Sequence, residues 1–171
     1  MASGAFGIQI AMDGVVQADA FFEGLDSDIQ DFRPYFRELG KELRVYFIRQ
    51  FAREGVGRAG TWKPLTKRYL DRKMVERPGR KILVYDGTLR RALVHRTDPH
   101  GLRVITKDQF VYGTQGLPYA SAHQRGYPPH KLPKRPMIDF DDLFRKQLRD
   151  RMIWHVRKAA IRQRRRHLRV H

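Results

Sequence analysis

The stretch Pro34-Tyr-Phe-Arg-Glu-Leu-Gly-Lys-Glu-Leu-Arg-Val-Tyr-Phe-Ile-Arg-Gln-Phe-Ala-Arg53 decides the fold class of this sequence. Its apolar residues recur three and four positions apart, which predicts an amphipathic helix with one face in the core. That stripe consists of Phe36, Leu39, Leu43, Tyr46 or Phe47, and Gln50 or Phe51. Pro34 suits a first helical turn, where its missing N–H costs nothing, and Gly55 follows the end. The opposite face is predicted to be solvated or to face a polyanion; it carries Arg37, Lys41, Arg44 and Arg49.

Shorter segments on both sides of this helix predict a small sheet. Residues 6–12 place Phe6, Ile8, Ile10 and Met12 on one side, as in a strand, and Asp13-Gly14 favours a hairpin. Residues 15–22 could be its return strand, which we favour, or the start of a helix. Further strands are predicted at 82–85, 102–106, 110–112 and 137–140, the middle two forming a hairpin around Lys107-Asp108.

Short helices are predicted over residues 66–74 and 118–124, and a turn followed by a short helix over residues 86–93. Asp141 is a natural N-cap for a last helix, whose apolar stripe is Phe144, Leu148, Met152 and Val156. Together the elements predict an α+β fold, in which a small mixed or antiparallel sheet packs against the long helix and the C-terminal helix.

Charge divides the chain into three predicted regions. Of its 171 residues, 35 are Lys or Arg and 18 are Asp or Glu, which gives a net charge of +17. Residues 1–32 contain acidic but no basic residues and are predicted to form an acidic arm or hairpin. Residues 33–160 would form the α+β domain, and 161–171 an Arg-rich tail, as a frayed helix end or a flexible arm. So basic a chain indicates a polyanionic partner, with nucleic acid first among them.

The sequence contains no positive sign of catalysis or of a cofactor. It has no cysteine, so it has neither disulfides nor thiolate ligands, and none of its apolar runs reaches the roughly 18 residues of a membrane span. The seven histidines are scattered, and Ser121 with His123 does not match a nucleophile elbow. Asp71, Lys73 and Glu76 faintly resemble a nuclease set, but an ion cluster on a helix surface is the favoured interpretation. We therefore predict a protein that is not an enzyme and holds no metal.

Five short motifs follow one another in a fixed order. They are Trp62-Lys-Pro-Leu65, Ile82-Leu83 with Asp86-Gly-Thr-Leu89, Val111-Tyr-Gly-Thr114, Tyr119-Ala-Ser-Ala-His-Gln-Arg-Gly126 and Pro133-Lys-Arg-Pro-Met-Ile138. In this order they resemble the virion morphogenesis, or tail completion, family of tailed bacteriophages, which includes Mu-like and P2-like proteins. The resemblance covers about residues 34–150.

This resemblance implies a structural virion protein. Such a protein would form a ring, commonly hexameric, at the head–tail junction, as a tail completion, tail terminator or neck protein. Its partners would be copies of itself, tail tube and connector proteins, and the genomic double-stranded DNA that passes through a basic lumen. It would be assembled in the host cytoplasm and contact no membrane.

Two groups of residues are candidate contacts. The first is predicted at the interface with subunits or partners: Trp62, Pro64, Leu65, Tyr119, His123, Gln124, Arg135 and Pro136. Trp62 could equally be a lid on the local core, and the polar residues of the motif near Tyr119 could form a network within the chain. Arg135 could make an ion pair across a subunit boundary or face water. The second group is predicted to face DNA: Arg162, Arg164, Arg165, Arg166 and Arg169.

Two further hypotheses remain. The acidic segment 1–32 could dock on a basic patch of a neighbouring subunit. The whole chain could instead be a free basic protein that binds nucleic acid without sequence specificity, with its last helix and tail as the binding element.

Overall fold

The computed structural model describes residues 6–11 and 31–167, and the side chains between residues 31 and 162. The predicted hairpin turn at Asp13-Gly14 and the return strand over 15–22 lie outside these residues. The helices are α1 (Arg33–Arg53), α2 (Lys67–Glu76), α3 (Thr88–Val94), α4 (Pro118–Arg125) and α5 (Asp142–His167), and the strands are β1 (Phe6–Ala11), β2 (Gly101–Ile105) and β3 (Gln109–Thr114).

The three strands form one antiparallel sheet in the order β1-β3-β2. β3 is central, so that its residue Thr114 pairs with Phe6 of β1 and with Gly101 of β2. The predicted hairpin around Lys107-Asp108 is confirmed by the pairing of β2 with β3.

The core lies between α1, α3 and the sheet. The stripe of α1 is buried as predicted, and its Phe36 and Phe47 rings stack on Phe110 and Tyr112 of β3 at centroid distances of 5.6 and 5.7 Å. α5 packs on this core through its own predicted stripe of Phe144, Leu148, Met152 and Val156. The chain therefore has the α+β fold that its sequence predicts.

The last helix begins where the sequence places its cap. The Phe144 N–H donates to Asp141 Oδ1 at 2.7 Å, which satisfies one of the free donors at the start of α5. α5 continues through the predicted tail boundary at residue 161 and ends at His167.

Two predicted strands are wrong. Residues 82–85 form a turn, because Leu83 adopts a left-handed φ of 59° and the Val84 N–H donates to Lys81 O at 3.0 Å. Residues 137–140 form no ladder, because side-chain amides take the place of a neighbouring strand. Gln124 binds the N–H groups of Met137 and Ile138 and the carbonyl of Ile138.

Within residues 6–11 and 31–167, no helix combines the length and apolar character that crossing a membrane requires.

Candidate functional site

Three of the five sequence motifs meet in one buried network, which we call the clasp. It consists of residues 62–65 from the loop before α2, His123 and Gln124 from α4, and residues 133–138 before α5. Residues 133–138 lie between the other two parts and hydrogen-bond to both. The clasp therefore joins segments that are far apart in the chain.

Trp62 closes one side of the clasp. Only 5% of it is exposed, its Nε1–H donates to Pro136 O at 2.8 Å, and its ring meets Phe51 of α1 edge-on at 5.6 Å. The indole thus covers the local core, one of the two placements that its sequence predicts. Pro64 beside it is exposed, and Leu65 is half-buried.

Arg135 is the buried cation of the clasp. Only 3% of the residue is exposed, and its guanidinium donates from Nε to Lys63 O at 2.8 Å and from Nη2 to Pro64 O at 3.0 Å. Its backbone N–H donates to His123 O at 2.7 Å. Burial lowers the pKa of Arg135. The prediction that Arg135 could face water is wrong, because backbone carbonyls replace water around its charge.

Gln124 is the polar centre of the clasp. Its Oε1 accepts from Met137 N at 2.7 Å and Ile138 N at 3.0 Å, while its Nε2 donates to Ile138 O at 2.7 Å. The predicted intrachain network is therefore present for Gln124. An amide suits this position because it supplies both a donor and an acceptor to the same stretch of backbone.

Gln50 extends this network into α1 and is missing from the predicted site. It is fully buried, and it donates to Met137 O at 3.2 Å and to the Tyr46 hydroxyl, while its Oε1 accepts from Val56 N at 2.7 Å. Tyr46 in turn donates to Asp139 O at 2.9 Å, and burial raises the pKa of Tyr46 to about 12. The sequence offered one signal for this network, since Gln50 occupies a position of the apolar stripe. A glutamine that is buried there needs hydrogen-bond partners.

Beside the clasp lies a cavity of about 500 Å³, between α2, α4 and the loops around residues 83–86 and 130–135. Its lining includes three tyrosines and two buried cations: Tyr69, Tyr85, Tyr119, Lys73 and Arg135. Tyr119 is 41% exposed. We call this space the α2–α4 cavity.

His123 stands where the clasp meets this cavity. Burial, aided by the charge of Arg135, lowers the pKa of His123 to about 4, so the ring is neutral at pH 7. Its Nδ1 is buried and has no hydrogen-bond partner among the described residues.

The prediction that Asp71, Lys73 and Glu76 form an ion cluster on the helix surface is wrong for Lys73. Lys73 is 2% exposed, and its ammonium donates to Lys81 O at 2.5 Å, turned into the protein. Burial lowers the pKa of Lys73. The Tyr85 hydroxyl donates a hydrogen bond to the Glu76 carboxylate, and Asp71 is exposed. In the part of the chain that the structure describes, no three His, Asp or Glu side chains are grouped to hold a metal ion.

The residues predicted to face DNA lie at the end of α5. Arg162 is exposed, Arg164, Arg165 and Arg166 belong to the described backbone only, and Arg169 lies outside the described residues. Further basic residues along the exposed sides of α5 are Arg145, Lys146, Arg149, Arg157 and Lys158. The four basic residues predicted to be solvated on α1 are also exposed.

Comparison with known proteins gives the family. Residues 14–157 match the profile of the phage virion morphogenesis family. The chain is also 30% identical over 116 residues to "Uncharacterized protein MJ0331" of Methanocaldococcus jannaschii, a match that covers 63% of this chain and 82% of that protein. No solved structure matches the chain. Because the family profile spans most of the chain, including every residue of the clasp, this protein belongs to the phage virion morphogenesis family.

Proposed function

We propose that this chain is a structural protein of the virion that forms a ring at the head–tail junction. There it would complete the tail or join it to the connector, and genomic DNA would pass through its lumen. The observation that carries the proposal is the family match over residues 14–157. The clasp supports it, because its polar groups are used to join distant parts of the chain.

Subunit contacts of the proposed ring would involve the outer side of the clasp. Trp62, Gln124 and Arg135 are engaged within the chain, so they position the contact surface. Pro64 and Tyr119 are exposed next to them and are available to a second subunit. A proline and a tyrosine are suited to an interface, because they lose little conformational freedom when they are buried.

The basic sides of α1 and α5 suit a lumen for DNA. Arg37, Arg49, Arg157 and Arg162 are exposed there, and none of them forms an ion pair among the described residues. Attraction between such side chains and phosphates is independent of sequence, and it allows DNA to slide.

Mass measurement in solution tests the ring. We expect purified full-length protein, alone or with tail tube protein, to form a species several times heavier than the 20.2 kDa chain, visible as rings by negative-stain electron microscopy. Phage lacking the gene should accumulate unjoined heads and tails. A chain that stays monomeric in the presence of tail tube protein, together with normal joining in the deletion phage, would refute the proposal.

A second candidate is a free nucleic-acid-binding protein, and the exposed basic residues of α5 favour it. Two measurements distinguish this candidate from the proposed ring protein. A free binder would bind duplex DNA as a monomer, with affinity that falls steeply with salt, and it would be absent from purified virions.

A further inference from the structure

The α2–α4 cavity has more positive than negative charge in its lining. Lys73, Lys131 and Arg135 line it, and Asp86 is a carboxylate in the same lining. Lys73 and Arg135 are almost fully buried, and neither forms an ion pair with a carboxylate among the described residues. The carboxylate of Glu54 acts on Lys73 electrostatically but does not line the cavity, and no carboxylate acts on Arg135 in this way. A buried cation that is incompletely neutralised is costly, so these two charges favour the entry of an anion.

Asp86 does not neutralise these cations. Its Oδ1 accepts from the Thr88 N–H at 2.9 Å, at the start of α3. The Thr88 hydrogen bonds lower the pKa of Asp86, so its charge is committed to that helix end. The buried Nδ1 of His123, which has no hydrogen-bond partner among the described residues, is an unsatisfied polar atom in the cavity wall.

We propose that the α2–α4 cavity binds carboxylate side chains from residues 12–30 of a neighbouring copy of this chain. That segment contains Asp13, Asp19, Glu23, Asp26 and Asp28 but no Lys or Arg, so its charge complements the cavity. It also contains Phe21 and Phe22, which suit a wall that carries three tyrosines. The choice of a neighbouring copy depends on the proposed ring, whereas the cavity and its charge are features of the single chain.

The described residues fix both ends of the segment 12–30. β1 ends at Ala11, which pairs with Gln109, and the Phe32 N–H donates to Lys107 O at 2.8 Å. Residues 12–30 are therefore joined at both ends to the end of the sheet where the β2–β3 hairpin lies. The cavity lies beyond the opposite end of β3, where Thr114 leads to α4, about 17 Å away along the strand. A segment of the length of residues 12–30 spans up to about 60 Å when extended, so it can reach the cavity of its own chain or of a neighbour, and the choice of a neighbouring copy follows from the proposed ring.

Disulfide cross-linking tests the contact directly, because the chain contains no cysteine. Full-length chains carrying Ala20→Cys would be mixed with differently tagged chains carrying His130→Cys, which lines the cavity. We expect a mixed dimer on a non-reducing gel after mild oxidation. The matched control is His95→Cys, another exposed histidine that does not line the cavity, and it should give little product.

Charge reversal tests the role of the cations without disturbing the buried ones. Lys131 lines the cavity and is exposed, while Lys134 is equally exposed but does not line it. Lys131→Glu in the His130→Cys chain should lower the cross-linked yield by about fivefold, since attraction becomes repulsion. Lys134→Glu should leave the yield unchanged.

Three outcomes would overturn the inference: equal yields from His130→Cys and His95→Cys, equal effects of the two lysine reversals, or a link only within the doubly substituted chain Ala20→Cys/His130→Cys. Failure of the proposed function is distinguishable from these. If the unmodified protein assembles but the link at residue 130 is absent, only this inference fails. If the protein remains monomeric by mass, the ring fails.

Discussion

The clasp and the outer side of α5, which carries Trp154 and Lys158, differ in how they use their polar and aromatic residues. In the clasp, Trp62 and Arg135 are buried, and their donors reach backbone carbonyls in distant loops. On α5, Trp154 is 59% exposed, and Lys158 lies over its ring at 4.4 Å from the centroid. The clasp joins distant parts of the chain, and we expect the outer side of α5 to tolerate substitution without a change in the fold.

Gln124→Ala is the strongest test of that difference. It removes three hydrogen bonds and leaves the Met137 N–H and the N–H and carbonyl of Ile138 without their partners. We expect a loss of about 4 kcal/mol in the free energy of unfolding, measured by urea denaturation. The matched control is Gln115→Ala, which removes a single exposed bond to Pro99 O and should cost about 0.5 kcal/mol. Equal losses would mean that the clasp does not hold the fold together.

The clasp is also where prediction from sequence reached its limit. Periodicity was enough for α1, because a helix buries one face and its apolar residues repeat accordingly. The segment 137–140 looked like a strand, because its apolar residues do not reveal what satisfies its backbone. The partners are Gln124 and Gln50, which lie 13 or more residues away along the chain, and a sequence does not show which side chain reaches them.

The candidate site was predicted in part, for the same reason. The motif around Trp62 and the one around Arg135 were found by resemblance, but which face of each is exposed depends on packing. Lys73 follows the charged residues Asp71 and Arg72 in sequence, and its burial depends on a bond to Lys81 O, eight residues away. The α2–α4 cavity could not be predicted at all, because it forms between elements that are separate in the sequence.

Acid should weaken the clasp through His123. Its pKa is about 4 in the folded protein, against 6.5 as the ordinary value, so the unfolded chain binds the proton more readily. Stability should therefore fall as the pH drops from 6.5 to about 4, by at most about 3 kcal/mol, and this contribution should be constant above that window.

Urea denaturation at several pH values measures this loss. His123→Gln should remove the dependence between pH 6.5 and 4, whereas the exposed control His130→Gln should retain it. The pH range also separates the effect of His123 from that of Asp31. Arg33 lowers the pKa of Asp31 to about 2, so the contribution of Asp31 to stability is lost only at lower pH. A slope that survives in His123→Gln would assign the acid sensitivity to another group.

The two tryptophans give a matched pair, one in each region. Trp62→Phe keeps an aromatic ring against Phe51 but leaves Pro136 O without its donor. We expect a loss of about 2 kcal/mol in the free energy of unfolding. Trp154→Phe, on the exposed side of α5, should change it by less than about 0.5 kcal/mol. A comparable loss at both positions would mean that the outer side of α5 is also part of the folded core.

The smallest expected change in stability comes from the arginines of α5, although the largest change in DNA binding should come from them. Arg157 and Arg162 are exposed and form no ion pair among the described residues, so Arg157→Gln/Arg162→Gln should leave the free energy of unfolding within about 0.5 kcal/mol. If they contact phosphates, the slope of log affinity for duplex DNA against log salt should become shallower by about 2, roughly one per arginine.

Arg68→Gln/Arg72→Gln on α2 is the control, because these two arginines are also exposed but lie on the helix beside the cavity. An unchanged slope in the first variant and a reduced one in the second would place the DNA contact on α2, and would leave α5 free for protein partners.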